Sequence, residues 1–331
     1  MSSDEKTLPL VTAIVLCYNQ GRFVVEALES LRAQTYPNLH LVVIDDCSKD
    51  DSVEVIRNWL DRFWPSAVFL AHTANMGVCR TCNDGLAQAK GKYLRLIAAD
   101  DRWVPGSLLR QVEVMEADPD DVGVLYSDAY RIDETGELLP RMFIESFRSF
   151  TVLPEGRIFD TLLEGNFIPA PTALVRRQCF ETVGAFDEDL VFEDWDMWLR
   201  ISRQFKFRYS PEPAAFYRTV QTSMSNTLSS EMNDSTRRMF IKCLRRGWLA
   251  CEMKNRAVFL EYLGACEAYR NKFPSRFGEA AWAFRHRPCA KHGLLLSFVF
   301  LRLPYKWFER LVNALSNLSL RTKRLTANHA D

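Results

Sequence analysis

The sequence lacks the features that would assign it at once to several common classes of protein. Its 331 residues contain no uninterrupted run of about 18 apolar residues, so no membrane-spanning helix is predicted. Neither G-x-G-x-x-G nor G-x-x-x-x-G-K-[ST] occurs, which argues against a dinucleotide-dependent dehydrogenase and against a P-loop ATPase. The five His are scattered and none has H-E-x-x-H spacing, so a histidine metal site has no support.

Disulfide and secretion signals are also missing. The nine Cys are an odd number at irregular positions, which indicates free thiols in a reducing compartment. Cys79 and Cys82 form a single C-x-x-C pair, and because a structural zinc site needs four ligands, packing is favoured over metal binding. The N-terminal apolar run, residues 8–17, contains Pro9 and Thr12, so a strand is predicted there and not a signal peptide. These features predict a cytoplasmic protein.

The overall charge of zero conceals an asymmetry along the chain. Residues 1–225 carry 23 Lys+Arg and 34 Asp+Glu, a net charge of −11, whereas residues 226–331 carry 19 and 8, a net charge of +11. A run of Ser, Thr and Asn around Ser225 suggests a domain boundary there. The acidic first part disfavours nucleic-acid binding. The adjacent Arg176 and Arg177 are interpreted as solvated residues and not as a nucleic-acid patch.

The basic region 226–331 is predicted to be mainly helical. Residues 293–303 are mostly apolar, and Pro304 and an amphipathic stretch with Lys306 and Arg310 follow. This segment is too short to span a bilayer, but its apolar and basic faces suit peripheral contact with an anionic membrane. The alternative, a helical cap whose basic residues face water, fits the pattern equally well.

Apolar runs alternate with helical patterns through the first half of the chain. This alternation is typical of an α/β fold with a mostly parallel sheet flanked by helices. Pro105 is predicted to open a further helix, since proline is favoured in the first helical turn. The predicted strands span residues 10–16, 39–44, 67–71, 93–98 and 122–126.

Polar residues follow the predicted strands at the edge where open α/β sheets bind ligands. Asp45-Asp46 follows the second strand, and Asp100-Asp101 follows the fourth. Carboxylates would repel a bare diphosphate, but they would hold Mg²⁺ or Mn²⁺, and the cation would neutralise the phosphate oxygens. The sequence therefore predicts a metal–nucleotide site. The alternative is that both Asp pairs are turn formers and helix caps.

Five segments in a fixed order carry a resemblance to a known family. They are Tyr18-Asn19; VVIDDCSKDDS at 42–52, similar to "VDDGSTD"; NMGVCRTCNDGL at 75–86, similar to "NxGxxxARNxGL"; LIAADD at 96–101, similar to a D-x-D segment; and GAFDEDLVFEDWDMWLR at 184–200, similar to "GFDE…EDxDLWLR". From about Leu8 to Ser225 the chain resembles the family 2 glycosyltransferases. The resemblance implies a GT-A catalytic domain over residues 1–225. It also implies inverting, metal-dependent transfer from a nucleotide-diphospho-sugar, with a UDP-sugar expected, to a saccharide or lipid-linked acceptor in cell-surface polysaccharide synthesis.

The resemblance also implies roles for residues on the donor side. Asp46 would contact the nucleobase or ribose, and the backbone of Leu16 and Cys17 would line the same pocket, with Asn83 as a second-tier contact. Asp101 would ligate the Mg²⁺ or Mn²⁺ that bridges the diphosphate. Asp100 would support Asp101 or bind sugar hydroxyls.

One position departs from the family pattern. The segment 215–226, AFYRTVQTSMSN, resembles "YRxHxxSMS", but Val220 stands where the family has a His that often helps hold the metal or diphosphate. Valine cannot ligate a metal. Either the cation uses more water and phosphate oxygens, or Arg218 or Gln221 assists the diphosphate, or activity is reduced. The last alternative corresponds to a non-catalytic scaffold in a glycan assembly complex, and a sugar-phosphate nucleotidyltransferase is the other rival function.

On the acceptor side, the resemblance implies that Asp194 is the general base and that Glu193 orients it or holds the acceptor. Trp195 is the candidate for stacking against an acceptor sugar, whereas Trp198 is favoured as a core residue because of its helical spacing. Asp128, after the predicted strand 122–126, either lines the acceptor side or caps a turn.

Overall fold

The computed structural model describes residues 8–220, 229–248 and Leu295. The chain divides into two compact units, Met1–Ser229 and Ser230–Asp331. The Ser225 boundary and the amphipathic segment proposed for membrane contact lie outside the described residues, apart from Leu295. Within the described residues, no helix combines the length and the apolar character needed to cross a bilayer.

The first unit is a large mixed sheet with helices packed against it. The strands are β1 Val11–Cys17, β2 Leu39–Asp45, β3 Val68–Ala71, β4 Tyr93–Ala98, β5 Arg102–Trp103, β6 Val122–Ile132, β7 Leu174–Arg176 and β8 Lys206–Arg218. The helices are α1 Gly21–Arg32, α2 Ser52–Phe63, α3 Val78–Gln88, α4 Ser107–Ala117, α5 Phe143–Phe147, α6 Phe159–Leu163, α7 Arg177–Val183 and α8 Asp194–Ser202. A further helix, α9, spans Ser229–Arg245.

The eight strands are ordered β3-β2-β1-β4-β7-β6-β8-β5. Four neighbouring pairs are parallel, namely β2–β3, β1–β2, β1–β4 and β6–β8, and the three pairs β4–β7, β6–β7 and β5–β8 are antiparallel. The predicted α/β class with a mostly parallel sheet is therefore confirmed. Because β2, β1 and β4 are adjacent and parallel, the loops that follow them emerge at one edge of the sheet.

Close packing between α3 and the sheet depends on Gly85. A Cβ atom at this position would lie 2.6 Å from Ile14 Cγ2 and 2.8 Å from Ile44 Cδ1. Only glycine allows the helix to approach β1 and β2 this closely. The approach places the N-terminal end of α3 at the edge where β1 and β2 end.

Arg176 corrects the prediction that both adjacent arginines are solvated. Its side chain is buried, and the guanidinium donates hydrogen bonds to the carbonyls of Val122 and Met115 and to the Tyr93 hydroxyl. The reason is its place on β7, between two other strands, where a long side chain can reach the carbonyls of neighbouring elements. Arg177, the first residue of α7, is exposed as expected.

Candidate active site

The loops after β1 and β2 are joined by hydrogen bonds at the carboxyl edge of the sheet. The backbone N–H of Asn19 donates to the Ser48 hydroxyl at 2.8 Å, and the N–H of Lys49 donates to Asn19 Oδ1 at 2.7 Å. The N–H of Asp46 donates to the Cys17 carbonyl at 2.9 Å. These bonds fix the backbone around Cys17 and Asp46, two of the positions expected to line a nucleotide pocket.

Asp46 holds the loop that precedes α3. Its buried carboxylate accepts hydrogen bonds from the N–H groups of Met76 at 2.7 Å and Gly77 at 2.9 Å, and it contacts His72 Nδ1 at 2.8 Å. Gly77 has φ of 83°, a conformation that favours glycine. The structure therefore gives Asp46 a loop-anchoring role, and its contact with a nucleobase or ribose stays a prediction.

Leu16 and Cys17 end β1, where burial raises the pKa of the Cys17 thiol to about 12. Asn83 lies on α3, and its side chain contacts the segment that precedes α8. Its amide donates to the Phe186 carbonyl and to Glu188, and it accepts a hydrogen bond from the Phe186 N–H. Asn83 thus ties α3 to the segment that leads into α8, while its second-tier contact with the nucleotide stays a prediction.

The second acidic pair lies directly after β4. Asp101 is buried, and its Oδ1 accepts a hydrogen bond from the backbone N–H of Arg218 at 2.8 Å. Burial, and then the negative charge of Asp100, hold the pKa of Asp101 well above its usual range. Burial also raises the pKa of Asp100, although a hydrogen bond from Gln20 in the loop after β1 acts in the opposite direction. A bound cation would stabilise the ionised form of two adjacent carboxylates that are shielded from water.

Arg218 is held by protein groups on several sides. Its Nε donates to the Asp100 carbonyl at 2.8 Å, and its Nη1 donates to the carbonyls of Asp133 and Glu134. Its Nη2 forms a 2.7 Å ion pair with Glu26. Four of the five guanidinium N–H groups are thereby occupied. These contacts make Arg218 a support of the Asp100-Asp101 loop, and its assistance to a diphosphate stays a prediction.

The residues at this edge suit a divalent cation that also binds substrate oxygens. Across the described ranges, no group of three or more His, Cys, Asp or Glu is placed to hold a metal ion. Asp100 and Asp101 offer carboxylate oxygens, which Mg²⁺ and Mn²⁺ prefer, and Mg²⁺ commonly completes its shell with water and phosphate. Val220 is buried and Gln221 lies outside the described residues. The pair therefore fits a cation shared with a diphosphate and does not form an all-protein cage.

The third acidic pair, Glu193-Asp194, stands at the start of α8. Asp194 accepts hydrogen bonds from the Asn166 side chain at 2.7 Å and from the Trp195 N–H at 2.6 Å. Burial nevertheless raises the pKa of Asp194 to about 6. Burial and the neighbouring negative charge of Asp194 raise the pKa of Glu193 to about 8. At neutral pH the pair therefore holds one ionised carboxylate and one protonated carboxyl group.

Two of the acidic pairs act electrostatically on one side chain, Tyr217. After burial, the causes that raise the pKa of its phenol are the charges of Asp101, Asp100, Asp194 and Glu193. Coulombic effects weaken with distance, so the carboxylates of both pairs are within electrostatic reach of this one ring. Residues separated by about 90 positions in the sequence are thus brought together, as the metal and base assignments require.

The expected acceptor residues have clear structural partners. The half-buried Trp195 donates its indole N–H to the Leu162 carbonyl at 2.7 Å. Trp198 is buried and meets Phe207 edge-on, which confirms its prediction as a core residue. The contact of Trp195 with an acceptor sugar stays a prediction.

Asp128 connects β6 to the short helix α5. One of its carboxylate oxygens accepts hydrogen bonds from the N–H groups of Ala129 at 2.8 Å and Ile144 at 2.9 Å. This geometry corresponds to the capping alternative, and a role at the acceptor side stays a prediction.

The packing interpretation of Cys79 and Cys82 is confirmed. Both are buried free thiols on α3, and the Cys79 thiol donates to the carbonyls of Leu190 and Phe192. Burial, and then the charge of Glu193, raise both thiol pKa values. The Cys79 thiol supports the loop that carries the third acidic pair.

Two residues of this site were not predicted from the sequence. Asn166 lies outside all the motif segments that carry the resemblance, so no local signal marked it. Tyr217 lies within the motif 215–226, in which the substitution at Val220 is the more obvious feature. Both contacts depend on loops that only the folded chain brings together.

Comparison with known proteins identifies the family. The family model described as Glycosyl transferase family 2 matches residues 12–184, more than half of the chain. The chain is a member of glycosyltransferase family 2. It is therefore an enzyme that transfers a sugar, and the resemblance stated from its motifs is confirmed at the level of the family.

Similar proteins from other organisms also carry glycosyltransferase names. A protein from Rickettsia prowazekii (strain Madrid E), named as the uncharacterized glycosyltransferase RP339, is 26% identical over 235 residues, which are 68% of this chain and 69% of that protein. A second, from Rickettsia felis (strain ATCC VR-1525 / URRWXCal2), is 30% identical over 200 residues, 59% of this chain. The alignment spans about a third, 32%, of that longer relative.

Solved structures of a mannosyltransferase and of a protein in complex with UDP-GlcNAc share the fold. The mannosyltransferase PcManGT from Pyrobaculum calidifontis, in complex with GDP-Man and Mn²⁺, matches with a TM-score of 0.56 and 21% identity over 94% of this chain and 85% of its own. S. aureus TarS 1-349, in complex with UDP-GlcNAc, matches with a TM-score of 0.55 and 17% identity over 87% of this chain and 78% of its own.

Proposed function

We propose that this glycosyltransferase is an inverting enzyme that uses Mg²⁺ or Mn²⁺ to move a sugar from a nucleotide-diphospho-sugar to an acceptor hydroxyl. The observation that carries the proposal is that Asp100-Asp101 and Glu193-Asp194 both act electrostatically on Tyr217, whose neighbour Arg218 donates its N–H to Asp101. One acidic pair suits a cation and the other suits proton removal. A single displacement needs both groups and no covalent nucleophile.

A UDP-sugar is the donor that we propose to test first, with a GDP-sugar as the alternative. Two structures with this fold are complexes with UDP-GlcNAc and with GDP-Man and Mn²⁺, which supports the class of donor. The proposed acceptor is a saccharide or lipid-linked glycan of a cell-surface polysaccharide. The peripheral membrane contact of the basic C-terminal region is a separate hypothesis about residues outside those described.

Asp194 is the proposed general base. An acceptor hydroxyl is a weak nucleophile, so a carboxylate within hydrogen-bond reach must take its proton during attack at the anomeric carbon. With a pKa of about 6, Asp194 is ionised at neutral pH yet more basic than an ordinary aspartate. The hydrogen bonds from Asn166 and the Trp195 N–H hold its two oxygens in place. The protonated Glu193 is suited to donate a hydrogen bond to the acceptor.

Asp101 and Asp100 are the residues proposed to hold the cation. When bound, such a cation neutralises the negative charge that develops on the departing nucleoside diphosphate. The Arg218 N–H fixes one Asp101 oxygen, and the Arg218 side chain fixes the Asp100 carbonyl. The chain therefore supplies a positioned pair of carboxylates and leaves the remaining ligand positions to the donor and water.

The proposal is tested by a panel of nucleotide-sugars with the full-length protein. UDP-glucose, UDP-galactose, UDP-GlcNAc and GDP-mannose are each mixed with the protein in Mn²⁺, Mg²⁺ or EDTA, and the melting temperature and donor hydrolysis are measured. We expect stabilisation by at least one donor only when a cation is present, because ligand binding to the folded state raises the melting temperature. Equal stabilisation in EDTA would contradict the metal dependence.

We predict a bell-shaped pH dependence of kcat/KM. The rate should rise through about pH 6, because Asp194 accepts a proton only when it is ionised. The rate should fall above about pH 8, because ionised Glu193 can no longer donate a hydrogen bond and adds negative charge beside Asp194. The thiols of Cys79 and Cys82 and the phenol of Tyr217, which respond to the charges of the pair, have raised pKa values and stay protonated. Initial rates measured across this pH range with saturating Mn²⁺ provide the check.

A matched variant separates the two limbs of this profile. Glu193→Gln is neutral, as Glu193 is near pH 6, so it should keep the rising limb and lose the falling limb. Asp160→Asn, at an exposed position in the first turn of α6, should keep both limbs. A falling limb that persists in Glu193→Gln would show that another group controls it.

We predict that Asn166→Ala moves the rising limb to higher pH. The Asn166 amide donates to Asp194 Oδ2 at 2.7 Å and stabilises the ionised carboxylate, so its loss should raise the pKa of Asp194 further. The rate at low pH should therefore fall more than the rate at pH 8. Asn166→Asp, which adds a negative charge in place of the donor, should move the limb in the same direction. An unshifted profile with a uniformly lower rate would contradict this positioning role.

A further inference from the structure

Tyr217 occupies a fixed position on β8 next to the residue that binds Asp101. It immediately precedes Arg218, whose backbone N–H donates to Asp101, and it pairs with Arg131 in the register of β6 and β8. Its ring meets Phe143 at a centroid distance of 4.7 Å and an interplanar angle of 67°. Backbone hydrogen bonds and an aromatic contact therefore position the phenol independently of any ligand.

Strand geometry places Tyr217 on the face opposite its neighbours. Phe216 stacks on Tyr130 with a centroid distance of 5.3 Å, and the Arg218 guanidinium lies over the Phe23 ring of α1 at 4.4 Å. Successive side chains of a strand point to opposite faces, so Tyr217 points away from α1. That side of β8 is where the two acidic pairs act on the phenol.

The Tyr217 hydroxyl is available to a ligand. The side chain is half-buried, and within the described part of the chain no group hydrogen-bonds to this hydroxyl. Burial and the surrounding carboxylates keep the phenol protonated at neutral pH, so it can donate a hydrogen bond. A neutral donor in a negatively charged cleft is suited to a hydroxyl-rich ligand.

We propose that the Tyr217 hydroxyl binds the sugar that is transferred, by donating a hydrogen bond to one of its oxygen atoms. This inference rests on the proposed function, in which Asp100-Asp101 faces the diphosphate and Glu193-Asp194 faces the acceptor. The transferred hexose must lie between those two groups, because its anomeric carbon is bonded first to the phosphate and then to the acceptor. The phenol of Tyr217 is within electrostatic reach of both pairs.

The test compares donors with their free nucleotides. Tyr217→Phe keeps the ring and its contact with Phe143 but removes the hydroxyl. Binding of UDP-GlcNAc and UDP, and of GDP-mannose and GDP, is measured by calorimetry in Mn²⁺ for the full-length protein. We expect about tenfold weaker binding of the sugar-bearing donor, unchanged binding of the free nucleotide, and about a tenfold lower kcat/KM for transfer or hydrolysis. Tyr130→Phe, on the opposite face of the sheet, is the matched control and should bind both as the wild type does.

Other outcomes would overturn the inference. If the donor and the free nucleotide lose affinity equally, the hydroxyl contacts the nucleotide or the cation and not the sugar. If the affinity for both is unchanged, the hydroxyl does not contact the donor. A wild-type protein that binds free nucleotides and transfers sugar, with Tyr217→Phe unaffected, would refute this inference alone. A wild-type protein that binds none of the donors would refute the proposed function and this inference with it.

Discussion

Asp194→Asn should lower kcat for sugar transfer by about a thousandfold while leaving donor binding unchanged. A positioned general base contributes roughly 10²- to 10⁴-fold, and an amide cannot accept the proton of the acceptor hydroxyl. Asparagine has nearly the same shape and can keep one of the hydrogen bonds from Asn166 and the Trp195 N–H. Transfer rates and donor affinity measured on the same preparation provide the check.

Stability separates loss of the base from misfolding in this variant. The pKa of Asp194 is raised, so its ionised form destabilises the folded protein above about pH 6, and a neutral side chain should not lower the melting temperature. Asp160→Asn is the control for the substitution itself, because that carboxylate is exposed on α6. If Asp194→Asn turns over at the wild-type rate, the base must be another residue.

The first half of the sheet was predictable because its strands are apolar runs buried between helices. The four predicted strands that became β1 to β4 agree with the structure to within one residue at each end. Parallel strands buried on both faces produce near-continuous hydrophobic sequences, which are easy to recognise. Because adjacent parallel strands end at the same edge of the sheet, the position of the acidic residues that follow them was also predictable.

The second half of the sheet was harder to predict for a physical reason. β8 contains Pro211 and Pro213, and proline within a run argues against a strand. The chain tolerates both because the β6–β8 register shifts between Ser127–Ser210 and Ala129–Ala215. At this irregularity, Pro211 and Pro213 are not required to donate backbone hydrogen bonds to β6. The Arg218 N–H reaches Asp101 only because the strand continues past this irregularity.

Buried arginines show a second limit of sequence reasoning. Arg176 and Arg218 are both nearly inaccessible, yet charge alone predicts solvent exposure or a ligand. Each guanidinium is satisfied mainly by backbone carbonyls from several separate parts of the chain. Carbonyls are present at every residue, so no residue type in the sequence marks the partners of a buried arginine.

Asp101→Asn should abolish cation-dependent donor binding and increase the stability of the protein without ligand. Loss of a carboxylate ligand should weaken Mn²⁺-dependent donor affinity by at least about 100-fold and lower transfer by about 10²- to 10³-fold. In the absence of a cation, Asp100 and Asp101 repel each other in a site shielded from water. Asparagine removes that repulsion and can still accept the Arg218 N–H, so the melting temperature in EDTA should be unchanged or higher.

This opposite response of stability and binding distinguishes a cation site from a structural pair. If Asp100-Asp101 only shaped the turn between β4 and β5, Asp101→Asn would leave the effect of Mn²⁺ on donor binding intact. If Asp101 mainly held Arg218, the variant would melt at a lower temperature in EDTA. Asp61→Asn, at an exposed position on α2, controls for the loss of one charge. The proposed role therefore requires that Mn²⁺ stabilise the donor complex of the wild type and of Asp61→Asn, but not that of Asp101→Asn.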